Sequence, residues 1–109
     1  MRRIACLLLL ICIVLLAAAT AHADRRVALV IGNGAYKTAP LKNPVHDARD
    51  MAAELKKLGF EVITRENASL AQMEGAVNEF WERLKRGGGT GLFFFAGHGL
   101  QVSGRNYLM

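Results

Sequence analysis

One of the three histidines, His98, stands between Gly97 and Gly99 directly after an apolar run, Leu92-Phe93-Phe94-Phe95-Ala96. Histidine moves protons or binds metals near neutral pH. The position is suggestive, because ligands and chemistry gather beyond the carboxyl ends of buried strands in α/β sheets. A histidine with a purely structural role more often sits within a helix or strand face. Metal binding has little support, since no second histidine or cysteine lies at ligand spacing and His46 is far away in sequence. Asp47 and Asp50 are the next candidates, both early in a predicted helix. Taken alone, acids there need do no more than complement the helix dipole.

Gly32-Asn33-Gly34 after a strand invites a dinucleotide reading, which the surrounding residues oppose. Lys37 occupies the place of the third glycine, and Pro40 and Pro44 intervene before the next helix. A phosphate-binding turn needs the helix N-terminus at once, so that its N–H groups face the ligand. Here the helix begins about ten residues late, and no P-loop lysine motif is present.

Three strands and two helices would position these residues. Arg26–Ile31 (RVALVI) is apolar after Arg26, rich in β-branched residues, and reads as a strand buried on both faces. Asn43-Pro44 opens a helix, with Asn43 expected as N-cap and Pro44 at the first helical position. Val45, Ala48, Met51, Ala52 and Leu55 follow at helical spacing, and Lys56, Lys57 and Gly59 supply the stop. Phe60–Thr64 alternates as a second strand. Ser69 with Gln72 forms a capping-box pair. The helix they open carries an apolar stripe of Leu70, Met73, Val77, Phe80, Trp81 and Leu84, in which Trp81 is expected as a packing residue. Gly87-Gly88-Gly89 ends it, and Leu92–Ala96 is the third strand. Leu100–Met109 reads as a hairpin turning at Ser103-Gly104.

The order βαβαβ with right-handed crossovers gives an α/β fold, a parallel sheet in strand order 2-1-3 with a helix on each side. The loop Gly32–Lys42, the loop after the second strand, and Gly97-His98-Gly99 then share the carboxyl edge. Asn67-Ala68-Ser69 matches a glycosylation sequon, a match too short to carry weight.

The first 23 residues stand apart. Arg2 and Arg3, the apolar run Ile4–Ala19 and Ala21-His22-Ala23 follow the order of a secretory signal peptide. An uncleaved anchor is the alternative, but the run is shorter than the roughly 20 apolar residues of a span. Residues 1–23 are therefore expected to be a signal peptide and residues 24–109 an exported domain, periplasmic or secreted. Cleavage leaves 12 of the 14 basic residues against 9 acidic ones, a net charge of +3 instead of +5. The basic residues are dispersed, with no stripe interleaved with aromatics, so nucleic acid is not an expected partner. Both cysteines, Cys6 and Cys12, lie in the leader, and neither fits a lipoprotein site. Residues 24–109 hold no thiol, and so no disulfide, thiolate metal site or cysteine chemistry of their own.

Val27-Ala28-Leu29-Val30-Ile31-Gly32-Asn33, Leu41-Lys42-Asn43-Pro44 with Asp47-Ala48, Leu58-Gly59-Phe60-Glu61-Val62 and Phe95-Ala96-Gly97-His98-Gly99 together resemble the successive blocks of bacterial caspase-like, metacaspase-related cysteine peptidases. The resemblance spans Arg26 to Met109. It implies a caspase-like three-layer sandwich and hydrolysis of peptide bonds by a cysteine–histidine dyad, with peptides or proteins as substrates and no cofactor. By resemblance, His98 is the dyad histidine, the Gly99 backbone N–H is half of the oxyanion hole, and Asp47 receives a basic P1 side chain. The departure is the nucleophile. The family's cysteine lies about 50 residues beyond the histidine, and only 11 residues follow His98. The sequence reads as the N-terminal part of a peptidase domain, inactive by itself. A non-catalytic homologue that binds peptides or proteins is the alternative, and a nucleotide-binding domain a distant third.

Overall fold

A computed structural model describes residues 2–23, 25–87 and 89–109, with residues 13–23 as backbone only. The elements run α1 (Arg2–Ala23), β1 (Arg26–Gly32), α2 (Asn43–Lys57), β2 (Glu61–Glu66), α3 (Leu70–Gly87), β3 (Thr90–Ala96), β4 (Gly99–Val102) and β5 (Arg105–Leu108). β1 pairs in parallel with β2 on one side and β3 on the other, so the sheet order is β2-β1-β3, as expected from the sequence. β4 and β5 form a separate antiparallel hairpin. Ser103 and Gly104 both take positive φ, 50° and 76°, which makes the primed turn whose twist suits a two-residue hairpin.

From Val27 onward β1 is apolar and buried, because both its faces are covered. Val27, Leu29 and Ile31 face one cluster with Ile63 and Ala76, against which Met73, Phe80 and Leu84 of α3 pack. Ala28 and Val30 face the other, with Ala48, Ala52 and Leu55 of α2. Val27, Leu29 and Val30 are fully buried, and each side chain of this type contributes about 1.5–3 kcal/mol by leaving water. This is the three-layer arrangement of a mixed α/β protein with a helix on each face of a parallel sheet. Neither cluster contains a residue of α1, whose side chains from Arg2 to Cys12 are exposed. No helix among the described residues is long and apolar enough to cross a membrane. The expected cleavage point after Ala23 borders Asp24, which lies outside the described residues, as does Gly88.

Helix ends follow local chemistry. At α3 the Ser69 N–H donates to Gln72 Oε1 at 2.9 Å, and the Gln72 N–H donates to Ser69 Oγ at 3.2 Å, completing the capping box. At α2 the expected cap moves by one residue. Lys42 is the N-cap, no side chain caps the helix, and Asn43 and Pro44 occupy its first positions. Helix α2 can lie close on the end of β1 because Gly32 has no side chain. A Cβ there would come within 2.5 Å of the Pro44 carbonyl and 2.6 Å of the Ala48 Cβ.

One expected packing residue is not packed. Trp81 is 58% exposed, and on the same face of α3 Leu70 and Val77 are also exposed. Helical spacing reports a stripe, but whether anything covers that stripe depends on the neighbouring elements. Helix α2 packs across all three strands, whereas α3 packs chiefly on β1 and β2. Trp81 borders an open depression with Phe80, Leu84, Gly91 and Phe93, which nothing among the described residues fills.

Candidate active site

Three segments converge beyond the carboxyl ends of the strands: the loop after β1, Asn67-Ala68 after β2, and Gly97-His98 after β3. Two asparagines join them. Asn33 is buried, and its Oδ1 accepts the Ala68 N–H at 2.8 Å while its Nδ2 donates to the Met109 main-chain oxygen at 3.2 Å. Its own N–H donates to the Ala96 carbonyl at 2.9 Å, continuing the β1–β3 ladder. Asn67 answers from the other side. Its Oδ1 accepts the N–H groups of Gly34 and Ala35 at 2.9 and 3.0 Å, and its N–H donates to the Gly32 carbonyl. Asn67 sits at φ 50°, a conformation that asparagine tolerates better than most residues. In the sequence Asn33 stands in a glycine-flanked motif and Asn67 in a sequon. Only their partners more than 30 residues away reveal the role.

His98 is held at both its backbone and its ring. Its N–H donates to the Tyr36 hydroxyl at 2.9 Å, and its carbonyl accepts the Met109 N–H at 3.0 Å. Its Nε2 lies 2.7 Å from the Ala39 carbonyl oxygen. A carbonyl can only accept, so Nε2 carries the hydrogen of this contact. In the neutral ring Nδ1 then keeps its lone pair, and it has no partner among the described residues. Ala39 takes φ 51°, an uncommon conformation for alanine, and it precedes Pro40. That local distortion orients the carbonyl that meets the imidazole.

The two glycines flanking His98 differ. A Cβ on Gly97 would lie 2.5 Å from the Tyr36 hydroxyl and 3.0 Å from the Asn33 carbonyl oxygen, so the chain needs glycine there. A Cβ on Gly99 would meet only the Tyr107 carbonyl, at an ordinary 3.6 Å. The backbone of Gly99 is the distinctive part. Hydrogen-bonded and non-hydrogen-bonded pairs alternate in an antiparallel ladder. The bond between Met109 and His98 makes 98/109, 100/107 and 102/105 the bonded pairs. Gly99 and Leu108 form a non-bonded pair between them, so the Gly99 N–H points out of the hairpin.

Asp47 and Asp50 are exposed on α2, and neither makes a hydrogen bond or ion pair among the described residues. The first turn of α2 contains no acid, which corrects the dipole account of these two residues. The dipole's influence falls off within that turn. Asp47 precedes Ala48, the residue resting on Gly32, and so lies near the carboxyl end of β1. Between the two aspartates, Arg49 turns to the sheet. Its Nε and Nη2 donate to the two carboxylate oxygens of Glu66 at 2.6 and 2.9 Å. Those bonds, helped by the guanidinium charge, hold Glu66 below the usual carboxylate range.

A depression of about 300 Å³ lies beside the asparagine staples, lined by Asn33, Ala35, Tyr36, Asn67, Ala68 and Met109. A larger apolar one of about 400 Å³, lined by Ile31, Leu70, Met73, Val77, Phe93 and Leu108 among others, does not include His98. No group of three or more His, Cys, Asp or Glu among the described residues could hold a metal ion.

The site is thus a histidine held at the carboxyl edge of a parallel α/β sheet. The caspase domain matches residues 25–109, and the chain belongs to that family of cysteine peptidases, whose members act on protein substrates. Two curated relatives are similar to it over 88 residues, or 80% of the chain, at 35% identity: mucosa-associated lymphoid tissue lymphoma translocation protein 1 of Homo sapiens and its homolog in Mus musculus. The chain spans about a tenth of the length of these relatives, 11% and 10% respectively.

Proposed function

We propose that residues 24–109 supply the histidine half of a cysteine-endopeptidase centre. The observation that carries this reading is the imidazole of His98, fixed through Nε2 to the Ala39 carbonyl with no partner for Nδ1 among the described residues, beside an outward-pointing Gly99 N–H. Nδ1 would take the proton of a cysteine thiol to make the thiolate and later return a proton to the leaving amine. The Gly99 N–H would stabilise the oxyanion that develops only in the tetrahedral state. Asp47, exposed and unpaired among the described residues, would meet a basic P1 side chain. A carboxylate pairs with Arg through two charge-assisted bonds and with Lys as a point charge.

Since residues 24–109 hold no thiol, the 109-residue chain should show no peptidase activity of its own. A non-catalytic, peptide-binding homologue has the same lack of thiol in its favour. Reading the coding sequence beyond Met109 separates the two, since a cysteine on a following strand fits only the peptidase. In a product that includes such a cysteine, cleavage of peptides with Arg or Lys at P1 is the test. His98→Ala should lower kcat/KM at least ~100-fold. Asp47→Asn should reduce cleavage after basic residues far more than Asp50→Asn does. Full activity in His98→Ala, or preferred cleavage after Asp in the unmutated protein, would overturn the respective assignments. Residues 1–23 are proposed as the export signal; N-terminal sequencing should find Asp24 first, and a membrane-held product beginning at Met1 would refute it.

A further inference from the structure

We propose that Tyr36 is a positioning residue for His98, fixing the orientation of the imidazole through contacts with both its backbone and its ring. Its consequence for catalysis rests on the reading of His98 as the acid–base group; the geometric proposal does not.

Tyr36 meets His98 at two points. Its hydroxyl accepts the His98 N–H at 2.9 Å, and its ring packs on the imidazole with centroids 4.5 Å apart at 52°. The hydroxyl hydrogen is itself committed, donating to the Met109 main-chain oxygen at 2.6 Å. A phenol that donates to one strong acceptor is a better acceptor for the next donor, so the two bonds reinforce each other. The same oxygen requires glycine at position 97, because a Cβ there would approach it to 2.5 Å. Three residues farther along the same loop, the Ala39 carbonyl holds Nε2. One short segment, residues 36–39, thus fixes the histidine's N–H, the face of its ring and one ring nitrogen.

The loop is in turn anchored through Asn67, which binds the N–H groups of Gly34 and Ala35. Nothing local in the sequence advertises this role, since Tyr36 lies 62 residues from His98 and belongs to no periodic stripe. A general acid–base group must be aimed before it can act, and a ring free to rotate about χ1 and χ2 would lose its bond to Ala39. Tyr36 restrains the backbone from which those torsions start.

Hydrogen–deuterium exchange at imidazole C2, resolved by mass spectrometry in dilute solution of the full chain, measures each histidine separately. In Tyr36→Phe, which keeps the ring and removes the hydroxyl, His98 should exchange about 5-fold faster at fixed pH, the scale of one lost hydrogen bond. His46, exposed on α2, serves as the internal control and should not change. Unchanged exchange at His98 would overturn the proposal. A parallel rise at His98 and His46 would mean general loosening and would also count against it, unless 3-fluorotyrosine placed at position 36 still shifts His98 alone. That analogue keeps ring and hydroxyl, weakening the hydroxyl as an acceptor for the His98 N–H while strengthening it as a donor to Met109, so no shift with it rejects the proposal outright. The two readings fail separately. If His98→Ala retains peptidase activity in a cysteine-containing product while the Tyr36 effect on exchange stands, the catalytic reading falls and the positioning survives.

Discussion

Strands β1 and β3 are both apolar along most of their length, yet they live in different surroundings. β1 is paired on both edges and covered on both faces, and Val27 to Val30 have no exposed surface. β3 is paired on one edge only, and Phe93 at its centre is 48% exposed. The helices repeat the contrast. Helix α2 buries Ala48, Ala52 and Leu55, while α3 buries only Ala76 and leaves Leu70, Val77 and Trp81 in the open. Both sides carry apolar residues at packing positions; the neighbours that cover them are fewer on the β3 and α3 side. The site stands beside this boundary, with its polar groups tied back to β1 and β2 and its apolar flank on β3 uncovered.

The comparison can be broken most severely at its buried end. Leu29→Ala removes a fully buried side chain from the middle of the sheet and should cost about 2–5 kcal/mol. Trp81→Ala removes a larger side chain from the exposed end and should change stability by less than ~0.5 kcal/mol, as surface substitutions generally do. Urea denaturation of the two variants in dilute solution compares them directly. Equal losses would show that α3 and its flank are as tightly covered as β1.

The next effect concerns the open edge itself. An unpaired edge strand with aromatic side chains and no lysine, proline or bulge is a template for pairing with other chains. The full chain should self-associate as its concentration rises, and Phe93→Lys should weaken that association by about 10-fold, a charge being a common guard on natural edges. Sedimentation velocity over a concentration series measures it. A monomer at every concentration, with slowly exchanging β3 amides, would mean the edge is already protected.

The same boundary explains what could be read in advance. Hydrophobic period and turn chemistry gave β1, β2, β3, the capping box at Ser69 and Gln72, and the turn at Ser103-Gly104, because each of these is decided by residues a few positions apart; the order 2-1-3 was inferred from the βαβαβ succession instead. Strand lengths differed slightly, with β2 running on to Glu66 and β3 starting at Thr90. The position of His98 at the carboxyl edge was legible for the same reason. Its setting was not. Tyr36, Ala39, Asn33 and Asn67 act through contacts 32 to 76 residues away in the chain, and none belongs to a period or a cap. Trp81 failed in the opposite way, since its spacing described a face correctly and said nothing about what lies against it.

The smallest expected effect sharpens the contrast on the covered side. Helix α2 is tied to the sheet by its apolar face and also by the fork of Arg49 on Glu66, both groups exposed. The Arg49 bonds lower the pKa of Glu66 in the folded protein relative to the unfolded chain. In the window between the two values the unfolded chain binds more protons, so stability rises with pH there. The contribution is fully present above the ordinary carboxylate range and is lost as pH falls through the depressed folded value. Glu66→Gln should therefore remove a small acid-sensitive part of the stability, leaving the curve at neutral pH slightly lower and its acid limb flatter. Added salt should shrink the difference between the variant and the parent, because exposed pairs are screened. Glu54→Gln is the control: its partner Lys57 lies on the same helix, so losing that pair does not loosen α2 from β2. Thermal melts across the acid range read both variants. An acid limb unchanged in Glu66→Gln would leave the apolar face alone as what holds α2 in place, and with it the approach of Asp47 to the carboxyl edge.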